Sequence, residues 1–177
     1  MDNSQRFQKT MSELLKVLPF DHAQTFLFDT LESETDYKLQ HALIRIIGEL
    51  YILDYERVNT LLNSSEFEQQ KLALQLIRYH KLYYTADDLN LIRTIIQNIG
   101  TNFPKRGQEK SKSKLLSSKT KNIWECECGN EQAAEEKYCK QCGYDIYGFG
   151  EREYKLDDAN ITLNQQLQVL ENYFKAA

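Results

Sequence analysis

The chain has 177 residues, 41% of them hydrophobic and 27% charged, with a net charge of −4. No stretch approaches the roughly 18 apolar residues of a membrane span, and the polar opening MDNSQRFQKTMSELLK has no apolar signal segment. A soluble cytoplasmic protein is the expectation, with material for one ordinary domain and a small appendage.

The first hundred residues predict helix after helix. Phe7, Met11, Leu14, Leu15 and Leu18 recur at helical spacing. Pro19 stops that helix, because it lacks an N–H and disfavours α geometry before it. Ala23, Phe26, Leu27, Thr30 and Leu31 form a second face, with Asp21 as its N-cap. Leu39, Ala42, Leu43, Ile46, Ile47 and Leu50 form a third. Val58, Leu61 and Leu62 follow Asp54 in a short fourth. Ser65 and Glu68 read as a capping box for a fifth, carrying Leu72, Ala73, Leu76 and Ile77. Thr85 caps a sixth with Leu89, Ile92, Ile96 and Ile99.

Residues 33–50 align with 64–81 at an offset of 31, so that Ala42 meets Ala73, Leu43 meets Leu74 and Ile46 meets Ile77. A period near 30 residues marks stacked helical hairpins. With x-A-L-x-x-I and Gly48-Glu49-Leu50, residues 6–99 resemble HEAT-like repeats. The resemblance implies three helical hairpins in an array within a domain of residues 1–100. An irregular six-helix bundle remains the other reading.

Residues 101–121 hold 7 Lys/Arg and one Glu, net +6, between flanks of −4 (10 against 14, residues 1–100) and −6 (5 against 11, residues 122–177). Without an apolar period, and rich in Ser and Lys, they predict a flexible basic linker.

Cys126, Cys128, Cys139 and Cys142 then form C-x-C, ten residues, C-x-x-C. In a reducing compartment such a cluster reads as metal ligands. Four thiolates suit one zinc ion in a closed tetrahedral site, hence a structural zinc module at 122–150. Gly129 and Gly143, each directly after a pair, fit tight turns that need positive φ. Trp124, Tyr138 and Tyr144 are candidates for the apolar cover. Rubredoxin-like iron and disulfides are the competing readings; the C-x-C pair disfavours the first and a reducing compartment the second. Trp124 two residues before Cys126, the ten-residue spacer and the final C-x-x-C make the module similar to zinc ribbons and to RanBP2-type zinc fingers. The first pair is one residue shorter than that family's, and Gln132 stands where the family has Asn. Family members variously bind single-stranded RNA or ubiquitin.

Residues 151–177 predict a C-terminal helix, with a Thr162/Gln165 capping box and Leu163, Leu167, Leu170 and Phe174 on one face. The fold expected is therefore mainly α: about six helices, a linker, a four-cysteine zinc module and a last helix.

His22, His41 and His80 lack ligand or triad spacing, and no P-loop, G-x-S-x-G, H-E-x-x-H or dinucleotide fingerprint occurs. No enzyme, membrane partner or small-molecule substrate is expected. The favoured function is a protein-interaction adaptor, because Glu125, Glu127, Glu131, Glu135 and Glu136 surround the cysteines and oppose phosphate. The alternative is binding of single-stranded RNA or DNA through Lys105, Arg106, Lys110, Lys112, Lys114, Lys119 and Lys121, with Trp124 as a stacking residue.

Overall fold

Pro19 separates the first two helices, as its chemistry requires. In the computed structural model, which describes residues 3–50, 52–78, 86–114 and 117–157, helix α1 spans Asn3–Leu15 and α2 spans Phe20–Ser33. Pro19 itself occupies the N-cap position of α2, so Asp21 lies in the first turn rather than capping it. There its carboxylate still favours the positive end of the helix dipole. Helix α3 (Tyr37–Leu50), α4 (Tyr55–Leu62) and α5 (Phe67–Ile77) follow. Asp54 caps α4 by accepting the Arg57 amide at 3.1 Å. The Ser65–Glu68 box does not form: α5 starts after Glu66, whose amide donates to Ser64 Oγ at 3.0 Å.

The described residues divide into two compact units, one within residues 1–84 and one within residues 85–161. In the first, α1 and α2 pack on α3, α4 packs on α5, and α3 meets α5. The positions equated at an offset of 31 are all buried: Ala42 with Ala73, Leu43 with Leu74, Ile46 with Ile77. On α2, Phe28 is buried while Phe26, expected in the core, is 47% exposed. The apolar stripe of α2 runs on the Phe28 side, where the Arg57 guanidinium lies 5.4 Å from the ring centroid. That guanidinium also pairs with Asp29 and Glu32 at 2.8 Å each, tying α4 to α2.

The sixth helix, α6 (Ala86–Gln97), corrects the expected boundary at residue 100. It belongs to the second unit, where it packs against a 3-10 turn at Lys155–Asp157. Its apolar residues Ile92, Ile95 and Ile96 are buried. Its expected cap, Thr85, lies outside the described residues, as do His80 and the Thr162/Gln165 box.

The linker is also corrected. After α7 (Ile99–Asn102), β1 (Gln108–Lys114) and β2 (Ser117–Glu125) form an antiparallel hairpin. β3 (Glu131–Ala133) adds to β2 at Ile123–Glu125 only, giving sheet order β1-β2-β3. From Asn122 outward the sheet is thus a two-stranded ribbon. The physical reason the segment folds is its junction with the cysteine turns, which hold the base of β2. Gly107 is required beside that junction, since a Cβ there would meet the Glu125 carbonyl at 2.7 Å. Within residues 151–157, expected to lead into a long helix, the structure has one turn, α8 (Glu151–Tyr154), and the 3-10 turn. The described chain is mainly helical, with one small sheet. No helix among the described residues is long and apolar enough to cross a membrane.

Candidate metal centre and the basic hairpin

β2 runs straight into the first cysteine pair. The Cys126 carbonyl accepts the Gly129 amide at 2.8 Å, and the Cys126 amide donates to the Asn130 carbonyl at 3.0 Å. The second pair repeats this: the Cys139 carbonyl accepts the Gly143 amide at 2.8 Å, and the Cys139 amide donates to the Tyr144 carbonyl at 2.8 Å. The first turn closes over three residues and the second over four, which accommodates C-x-C in place of C-x-x-C. Gly129 and Gly143 have φ of +82° and +80°, a region that costs other residues about 1–2 kcal/mol.

These turns bring the four sulfurs within 4.8 Å of one another. Cys126 Sγ lies 3.4 Å from Cys142 Sγ, and Cys128 Sγ 3.5 Å from Cys139 Sγ. A tetrahedron with metal–sulfur bonds of about 2.3 Å has edges of about 3.8 Å, so this donor set could hold a metal ion. All four cysteines are free. Burial pushes the Cys126 thiol up to about 11 and raises Cys142 as well. Burial acts the same way on Cys139, but the amides of Cys142 and Gln141 and the neighbouring thiols outweigh it and bring that thiol down to about 7. A coordinated cation removes the remaining protons, because a metal-bound thiol ionises outright.

Trp124 is 5% exposed and packs on Cys126 and Cys139 with Ile146 beside them. Its Nε1 donates to the Glu136 carbonyl at 2.9 Å. It therefore serves as cover for the cysteines, as expected, and is not the open stacking platform of the nucleic-acid reading. Tyr138 stacks edge-on with Tyr154, their centroids 6.4 Å apart. The sequence did not reveal Ile146, nor the role of Gln132 and Asn130. Their side-chain amides donate to Cys139 Sγ at 3.6 and 3.8 Å, orienting a ligand from outside its own turn.

The basic residues fall into two groups. Near the base of the hairpin, Lys105 pairs with Glu109 and Arg106 with Glu127, both at 2.6 Å, and Lys110 pairs with Glu125. Two of the acids that weighed against phosphate binding, Glu125 and Glu127, are thus matched by cations. Further out the register is decisive. Lys112 is the cross-strand partner of Lys121 and Lys110 that of Ile123. Because residues two apart share a face, Lys110, Lys112 and Lys121 lie on one face of the ribbon; beyond them the register shifts between Ser113 and Lys114, so that Lys114 pairs with Ser117 and Lys119 falls in the irregular part. Ser111, Ser113, Thr120 and Asn122 alternate with them. Residues 110–124 contain five lysines and no acid. Of the histidines, His22 is exposed and His41 packs edge-on against Tyr37.

No family model, curated protein or solved structure matches the chain.

Proposed function

We propose that the chain is a non-enzymatic nucleic-acid-binding protein, in which a zinc-held ribbon presents the lysine face of the β1–β2 hairpin to a phosphate backbone. Zinc is the metal this reading assigns to Cys126, Cys128, Cys139 and Cys142. Four thiolates select zinc or iron, and the C-x-C turn departs from the paired C-x-x-C turns of rubredoxin-like iron sites. With all four positions filled by protein the ion is structural. Thiolate ligation also suits the cytoplasm, where thiols stay reduced.

The observation that carries the reading is the ribbon itself. Lys112 and Lys121 stand directly across the ribbon from each other, with Lys114 and Lys119 beyond them, in a stretch from Ser111 to Trp124 that contains no acid. Lysine on an edge strand also deters strand addition, but that role needs no concentration of charge on one face. The adaptor reading retains one support, in the helical unit. Leu14, Val17, Leu18, Phe20 and Phe26 are all exposed around the α1–α2 turn, an apolar surface of the kind that marks protein contacts. Both activities can reside in one chain with two units.

The test is binding of a fluorescein-labelled single strand at physiological salt. Wild-type protein is expected to bind with micromolar affinity or better. Replacing Lys112, Lys114, Lys119 and Lys121 by Gln is expected to remove binding while zinc content and helicity stay unchanged. Equal binding by the two proteins contradicts the proposal.

A further inference from the structure

Among the described residues, exposed large apolar side chains are confined to the first unit. Leu14, Val17, Leu18, Phe20 and Phe26 crowd the α1–α2 turn, and Tyr55 and Phe67 open α4 and α5. Val17 is 78% exposed and Phe20 55%. Beside them lies a groove of about 210 Å³, lined by Leu15, Leu18, Phe20, Leu50 and Ile52 together with Lys16. A cavity of about 150 Å³ is enough to take a benzene ring, so the groove has room for a large apolar side chain. The second unit offers no such surface among its described residues: Ile92, Ile96, Phe103, Phe149 and Leu156 are all buried.

The sequence holds a matching stripe beyond the described residues. Leu163, Leu167, Leu170 and Phe174 repeat at helical spacing, and Asn164, Gln165, Gln166, Gln168, Glu171 and Asn172 separate them. A helix shorter than about 12–15 residues is marginal in water alone, so this segment needs an apolar surface to fold against. Residues 162–177 carry one acid and one base, Glu171 and Lys175, so docking desolvates little charge.

We infer that the C-terminal segment, residues 162–177, folds as an amphipathic helix onto the α1–α2 surface of its own chain. Residues 158–161 connect it to Asp157. A segment tethered so briefly meets its site at an effective concentration of about millimolar, which favours it over a second copy or a separate partner. The inference stands apart from the nucleic-acid reading, and it gives to the chain itself the surface on which the adaptor reading rests.

Hydrogen exchange on zinc-loaded full-length protein tests it. In the wild type, amides of residues 163–174 are expected to exchange at least about ten-fold more slowly than in an unfolded chain. That protection should be equal at protein concentrations about 100-fold apart, since the contact is intramolecular. Val17→Glu with Phe20→Glu, both at exposed positions, is expected to remove it while α3 amides stay protected. Leu167→Glu with Leu170→Glu is expected to do the same from the other side, and to raise the fluorescence of an apolar dye as the surface is uncovered. The second variant decides the matter if the first disturbs α3. Unprotected amides at 163–174 in the wild type overturn the inference. So does protection that survives the surface substitutions, or protection that grows with protein concentration, which assigns the surface to a second copy.

Discussion

Lys112 and Lys121 are direct partners across the β1–β2 hairpin. Like charges directly opposite each other destabilise a strand pair. The two positions lie where the sheet has only two strands, since β3 reaches no further than Ile123, and such a ribbon is marginal in water. Stability alone would put an acid in one of the two positions. Lys121→Glu is therefore expected to stabilise the zinc-loaded protein, by about 0.2–1 kcal/mol, and to weaken nucleic-acid binding. Thermal unfolding and anisotropy measured on the same preparation check this. Lower stability together with unchanged binding would deny the pair its functional role.

The metal is expected to be necessary for the ribbon and irrelevant to the helices of the first unit. Elemental analysis should give about one zinc per chain. Cys139→Ser should abolish stoichiometric metal and collapse protection of residues 122–150, because ligation supplies most of the folding free energy of so small a module. Hydrogen exchange resolves the two units: α3 amides should stay protected when chelator is added. Protected amides across 122–150 in metal-free protein would refute the structural role.

Tyr154 gives the second unit an alkaline limit. Burial, and then its hydrogen bond to Asp145, hold its hydroxyl above the ordinary tyrosine value. An unfolded tyrosine ionises near pH 10. The stabilisation from Tyr154 is therefore whole below about pH 10 and is lost as pH rises above it, where only the unfolded chain can ionise freely. Denaturant unfolding at about pH 9 and pH 11 should show that loss, and Tyr154→Phe should reduce it. The variant should also be less stable at pH 9 by about 1–3 kcal/mol, since Asp145 Oδ2 loses its donor.

The helices of the first unit were legible because their cores repeat at helical spacing. Ala42, Leu43, Ile46 and Ile47 are buried as the periodicity requires. Phe26 and Phe28 flank the same stripe on opposite sides, and the structure buries Phe28, with the Arg57 guanidinium over its ring, while leaving Phe26 exposed. The cysteine turns were legible in full, down to the two positive-φ glycines, since sulfur spacing and glycine placement are local properties. The hairpin was not. Strand reading rests on apolar–polar alternation, whereas K-S-K-S-K and K-T-K-N alternate one polar type with another. The membership of α6 depends on its packing against residues 155–157, a contact that no local pattern encodes.

The most direct measurement of the central claim is the salt dependence of nucleic-acid binding. Each phosphate neutralised on a single strand contributes a slope of about −0.7 in log K against log salt. Lys112, Lys114, Lys119 and Lys121, together on an outer ribbon without acids, should give a slope of about −3, shallower by about 0.7 for each lysine changed to Gln. A slope near zero, or a steep slope that survives all four replacements, would contradict the assignment of phosphate binding to this hairpin.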